Sequence, residues 1–306
     1  MSIRRPTLLA FAVIAGALAL AGCGITRSDD GSQATSPTPV TSPSPEPTVA
    51  SPSPSATPSP TASPARQTAV SAYFLRGEFV GTAHRVVAAT NAPASAALRE
   101  LLVGPTTEEL AAGLHTQIPA GTQLLGLTIE DGVATVDLSG EFAAGVDPLE
   151  DRGRLGQIVY TLTQFPTVDG VRFRVDGDPL VFRSGEGTPQ NRPQTRRSFE
   201  DVTPAIFVER PAVGDLVSSP LVVSGTANTF EAQLMIRVRD ANGTSLLNES
   251  AMATAGSGTR GTFNETLRFT TPATIITLEV YETSAASGLP INVVKIPLRI
   301  AEGDLE

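Results

Sequence analysis

Ten of the chain's 25 prolines fall between Pro37 and Pro64, spaced by serine and threonine in repeats such as Ser42-Pro43-Ser44-Pro45 and Ser51-Pro52-Ser53-Pro54. Proline fixes φ and offers no backbone donor, so this stretch builds neither helix nor sheet. It is expected to be extended and semi-rigid, at about 3.1 Å per residue where it adopts polyproline II geometry. Its serine and threonine density also suits O-glycosylation of an exported stalk. The tract separates a short N-terminal segment from residues 67–306, which are enough for one or two domains.

The N-terminal segment has two arginines, Arg4 and Arg5, and an apolar run from Leu8 to Leu20. A basic start, a short apolar core and small residues after it define an export signal. The run is shorter than the ~20 residues that a spanning helix needs. It ends in Leu20-Ala21-Gly22-Cys23, and Cys23 is the only cysteine of the chain. This ending resembles the lipobox of bacterial lipoproteins. The resemblance implies a thioether from the Cys23 sulfur to a diacylglycerol, palmitate-type acylation, and cleavage that leaves Cys23 as the new N-terminus. The thiolate is the nucleophile in such chemistry, and small residues at Ala21 and Gly22 leave the backbone accessible. Two acyl chains anchor stably, at about 0.8 kcal/mol per buried CH₂. The expected arrangement is residues 1–22 as signal peptide and 23–66 as lipidated cysteine and tether. The rest is then held on the outer face of the cell membrane, without disulfides.

Residues 67–184 mix helix and strand patterns. Val70–Leu75 and Arg85–Ala88 read as strands. Ser95–Val103 reads as a helix, with Leu98, Leu101 and Leu102 on one face and Gly104-Pro105 ending it. Thr106-Thr107-Glu108-Glu109 fits a capping box. Gln123–Ile129 and Val133–Leu138 flank the hairpin signal Glu130-Asp131-Gly132. Leu155, Ile158, Val159 and Leu162 mark a second amphipathic helix. Val171–Val175 alternates strictly and turns at Asp176-Gly177 toward Leu180-Val181-Phe182. The expected fold is an α+β domain, a small sheet with two helices.

Several of these pieces form an ordered series: Ala97 through Thr106, Gly113-Leu114, Ile118 through Thr122, Asp131 through Ser139, Gln157 through Thr163, and Val171 through Gly177. The series resembles the GerMN domain of sporulation and spore-germination lipoproteins. That resemblance implies a ligand-binding or assembly module with no established enzymatic activity.

Gly185 to Gln194 is polar and rich in glycine and proline, and residues 185–203 read as a linker. From 204 to 301 only strands are found. They are Ile206–Val208, Leu221–Gly225, Leu234–Arg239, Ser245–Ala251, Gly261–Phe269, Ile275–Tyr281 and Val293–Ile300. Seven short strands at this spacing predict an immunoglobulin-like β-sandwich. It lacks the Cys…Trp…Cys core, so aliphatic residues and phenylalanine must fill it. Pro297 places the last strand at an edge or a bulge. Pro211 through Ala232, Arg260 through Phe263, and Leu278 through Glu282 resemble the immunoglobulin-like domain of bacterial spore germination.

Candidate chemistry is sparse. The histidines, His84 and His115, sit in no nucleophile or zinc motif. Asp147, Glu150 and Asp151 precede the second helix and read as caps. Asp176 and Asp178 read as a turn and lack calcium-loop spacing. Glu130, Asp131 and Asp137 could pair carboxylates for glycoside hydrolysis, but no signature fixes their geometry. Arg192, Arg196 and Arg197 read as solvated linker residues. A contact with anionic headgroups or wall polymers is the sharper alternative. The net charge of −9 disfavours nucleic acid. No cofactor or metal is expected. The reading is a non-enzymatic, lipid-anchored binding or assembly module with an envelope protein as partner. The alternatives are a cell-wall glycan binder, disfavoured by 5% aromatics and no tryptophan, and a wall hydrolase.

Overall fold

The structure, a computed structural model, describes residues 66–145, 151–180, 182–183, 189–190 and 192–301. Cys23, its lipobox, and the tether up to residue 65 lie outside them, as do Asp147 and Glu150. The described residues belong to one compact unit.

The first half opens with a long hairpin, β1 (Gln67–Arg76) and β2 (Phe79–Ala88), paired without interruption through ten residues and turning at Gly77-Glu78. The sequence reading missed this turn, because a lone glycine before glutamate is a weak signal. Helix α1 (Pro93–Val103) follows, with proline in its first turn and Ala94, Ala97, Leu98 and Leu101 buried. Helix α2 (Thr107–Ala111) has the expected capping box. The Thr106 hydroxyl accepts from Glu109 N, and the Glu109 carboxylate accepts from Thr106 N. Strand β3 (Leu114–His115) then pairs with β1.

A second sheet is built from β4 (Leu124–Glu130), β5 (Val133–Leu138), β6 (Gly170–Val175) and β7 (Asp178–Pro179) in that order. The β4–β5 turn puts Asp131 and Gly132 both at positive φ, 47° and 78°, which matches strand twist. The expected small sheet is thus divided in two. Helix α3 (Arg152–Leu162) crosses from β5 to the parallel β6. It packs against α1, β1, β2 and β6. Its sequence reads as one apolar stripe, yet nearly every residue is buried. Gly153 and Gly156 allow this: a methyl on Gly153 would stand 2.8 Å from Leu75 Cδ1, and one on Gly156 3.2 Å from Val202 Cγ2. Its polar side chains are satisfied inside: Gln157 Oε1 accepts from Gln117 N at 3.0 Å, and Thr161 Oγ1 from Tyr73 N at 3.1 Å.

After the short pair β8 (Phe182–Arg183) and β9 (Pro189–Gln190), the chain does not run free. Gln194 exchanges both backbone hydrogen bonds with Val171, and a 3-10 segment, Arg196–Val202, buries Phe199 against α3. Residues 192–203, read from sequence as linker, are therefore folded onto the first half.

The second half is the predicted sandwich. One sheet holds β10 (Ile206–Arg210), β12 (Leu221–Ala227) and β15 (Gly261–Leu267). The other runs β11 (Leu216–Val217), β17 (Pro290–Ile300), β16 (Ile275–Thr283), β13 (Gln233–Asp240), β14 (Ser245–Met252). Leu234, Ile236 and Val238 are buried as the alternation requires, beside Leu278 and Ile296 of the same sheet, with Phe263 buried on the facing sheet. Pro297 stands opposite Thr277, and its carbonyl accepts from Gly214 N at 2.9 Å. Its nitrogen points to the same side, away from β16, where β11 covers only Arg299 and Ile300. The missing N–H therefore breaks no ladder bond.

Candidate functional site

Neither half holds a concentrated set of reactive groups among the described residues. What the structure does concentrate is chemistry at the seam between the halves. One hydrophobic cluster runs there from Ala72 and Leu155 through Phe207 to Ile296 and Leu298 without a gap.

Three rings from different elements meet at the centre of the seam. Tyr73 of β1, Tyr160 of α3 and Phe207 of β10 lie with centroids 5.4–5.9 Å apart. The Arg196 guanidinium covers the two tyrosines, 5.4 Å from the Tyr73 ring and 4.7 Å from the Tyr160 ring. Its Nη1 donates to Glu209 Oε1 at 2.7 Å and its Nε to Thr163 Oγ1 at 2.9 Å. The Tyr73 hydroxyl donates to the same Glu209 oxygen at 2.9 Å, and the Tyr160 hydroxyl meets Thr203 Oγ1 at 2.5 Å. Burial, and then the Glu209 charge, push the Tyr73 phenol well above its ordinary value. Burial raises Tyr160 too. Burial works against the Arg196 charge, but Tyr73 and Glu209 outweigh it and the pKa rises. Arg196 is thus a partnered residue, while Arg192 and Arg197 are exposed.

Beside this cluster, His84 of β2 reaches across the seam. Its Nδ1 lies 2.7 Å from Asp215 Oδ2 and its Nε2 lies 3.2 Å from the Glu209 carbonyl. Asp215 Oδ2 also accepts from Ala212 N at 2.8 Å. A cleft of about 670 Å³ lies here, its lining mixing aliphatic residues with His84, Arg85, Glu109, Arg210, Asp215 and Arg299. Arg85 holds the buried Glu109 with both terminal nitrogens, Nη2 to Oε2 at 2.7 Å. A second cavity, of about 410 Å³ and largely apolar, lies between the β1–β2 turn, β10 and β17.

The other residues singled out from sequence serve local structure. Asp151 caps α3, accepting from Arg154 N at 3.0 Å. Asp176 Oδ1 accepts from Gly140 N, and Asp137 Oδ1 from Gly177 N, each at 3.0 Å. Glu130 and Asp131 stand exposed at the β4–β5 turn, and His115 is half-buried on β3. Among the described residues, no three His, Cys, Asp or Glu side chains cluster as metal ligands, and no helix is long and apolar enough to cross a membrane. Sequence reasoning missed Tyr73, Tyr160, Phe207 and Glu209. The available signal was that two of only three tyrosines sit at core positions, each needing a partner for its hydroxyl.

Comparison with known proteins agrees with this architecture. Residues 71–181 match the family profile described as sporulation and spore germination, and residues 205–289 match the immunoglobulin-like domain of bacterial spore germination. The chain carries a GerMN-like domain followed by that immunoglobulin-like domain. It is similar to the spore germination protein GerM of Bacillus subtilis (strain 168), 28% identical over 248 residues, which are 77% of this chain and 66% of that protein. It therefore spans just under two thirds of that relative's length. Among solved structures, the first GerMN domain of Bacillus subtilis GerM is 28% identical, with 42% of this chain and 98% of that one covered and a TM-score of 0.35. The tandem GerMN domains of the same protein are 18% identical, covering 78% and 62%, with a TM-score of 0.37.

Proposed function

We propose that this chain is a non-enzymatic binding or assembly module of the cell envelope, tethered through Cys23 to the outer face of the membrane. The seam around Arg196 carries the reading. It joins two domains into one body through buried aromatic and charged groups, as suits a scaffold that presents a fixed surface. Two sheet edges on that body are open to a partner strand. One is β4, where Leu125 and Ile129 are exposed, and the other is β14, where Met252 is exposed. The lipobox ending in Cys23 supports the anchoring, and the similarity to a spore germination protein supports a role in envelope assembly.

The test is photocrosslinking in intact cells from probes placed at Ile129 and at Met252. One envelope protein should be captured, and Cys23→Ser should move the chain out of the membrane fraction and lose the crosslink. Crosslinks to wall glycan alone would overturn the protein-partner reading. Release of soluble wall fragments by the purified chain would overturn the non-enzymatic one.

A further inference from the structure

The apolar cavity of about 410 Å³ falls within the roughly 300–1,000 Å³ typical of small-ligand pockets. Its walls include Val80, Ile206, Val208 and Ile296, and the partly exposed Phe79 and Val293 stand at its rim. Arg76 is the single charged residue lining it. Arg76 Nη1 donates to the Lys295 carbonyl at 2.9 Å, while its Nε is buried without a hydrogen-bond partner. No carboxylate among the described residues pairs with it. Partial burial lowers its pKa from the ordinary arginine value, as for a half-buried cation whose charge no carboxylate balances.

We infer that this cavity binds an anionic amphiphile, with an alkyl or acyl chain against the apolar walls and a carboxylate or phosphate head on Arg76. A guanidinium matches the planar geometry of either head and hydrogen-bonds it through parallel N–H groups. The net charge of −9 repels anions at long range, so capture depends on this local site. The inference does not depend on the anchoring or the protein partner proposed above, because cavity and arginine belong to the folded unit itself.

The experiment titrates residues 24–306, everything downstream of the lipobox, with decanoate and with decyl phosphate, below their micelle concentrations. Decanol and decyltrimethylammonium are the controls. Calorimetry gives the affinity, and the methyl signals of Val80, Val208 and Val293 give the location. Both anions should bind saturably and shift those methyls. Arg76→Gln should weaken them at least tenfold, and Arg76→Lys, which keeps the charge but loses the planar fork, should fall between Arg76→Gln and the unmodified chain. Val293→Glu, a carboxylate at the mouth, should abolish binding with Arg76 in place. Decanol binding as tightly as decanoate, an unchanged affinity in Arg76→Gln, or no saturable binding would each overturn the inference. Co-sedimentation with phosphatidylcholine vesicles, with and without phosphatidylglycerol, separates the sources. Arg76-dependent sedimentation identifies a bilayer lipid, and its absence beside decanoate binding identifies a free chain.

Discussion

Arg196 Nη1 stands 2.7 Å from Glu209 Oε1, joining a segment folded onto the first domain to the opening strand of the second. Each side chain is about a quarter exposed, so the pair is screened less than a surface ion pair. Arg196→Ala also uncovers two tyrosine rings. It should cost about 2–3 kcal/mol in urea unfolding. A double-mutant cycle with Glu209→Gln should return a coupling of about 1 kcal/mol. Unfolding of the unmodified chain in two well-separated transitions would show that the seam does not join the domains.

Alkaline pH should weaken the fold through the same cluster. Tyr73 and Tyr160 have raised pKa values in the folded state, so the folded state holds their protons more tightly. Their stabilisation is fully present below the ordinary value of 10.0 and is lost as pH rises beyond it. Tyr73→Phe should flatten the fall in stability above about pH 10. Urea midpoints across that range read the slope, and an unchanged slope in the variant would count against the account.

In the sandwich, Glu279 accepts from Arg237 Nε at 2.7 Å and Arg239 Nε at 3.1 Å. Its burial raises the pKa, but the two arginines outweigh this and hold it below the ordinary 4.5. A depressed carboxylate stabilises above the unfolded value, and that stability is lost as pH falls through the folded one. Glu279→Gln should cost about 3 kcal/mol at neutral pH, because two partly buried arginines lose their partner. It should also lessen the sensitivity to acid below about pH 4.5. Thermal melts at neutral pH and at about pH 3.5 distinguish the two effects.

Glu109 does two things at once: it completes the Thr106 capping box and pairs with Arg85 of β2. Thr106→Ala removes the cap alone and should cost about 1 kcal/mol. Glu109→Ala leaves Arg85 without its buried partner and should cost about 3 kcal/mol or more. Equal losses in calorimetry would mean that the Arg85 pair contributes nothing beyond the cap.

Features specified by neighbours in sequence were legible. The Thr106–Glu109 box, the Asp131-Gly132 turn and the alternation of Leu234, Ile236 and Val238 each follow from local spacing. Features made by distant partners were not. Phe199 is one apolar residue in a polar stretch, and only α3, more than thirty positions earlier, makes it a core residue. Arg196 looks solvated beside Arg192 and Arg197 until Tyr73 and Glu209 are brought around it. The periodicity of α3 shows one apolar stripe. Its full burial depends on Gly153 and Gly156, whose missing side chains carry no hydrophobic signal.

The described chain enters its fold at β1, and that strand lies between β2 and β3 and carries Tyr73 in the seam. A pull along the axis of β1 from its N-terminal side meets ten residue pairs with β2 loaded together, so they resist in shear and do not peel one by one. Such a force reaches the aromatic cluster through the strand that carries Tyr73, and the Tyr73–Glu209 hydrogen bond would pass that tension to the immunoglobulin-like domain.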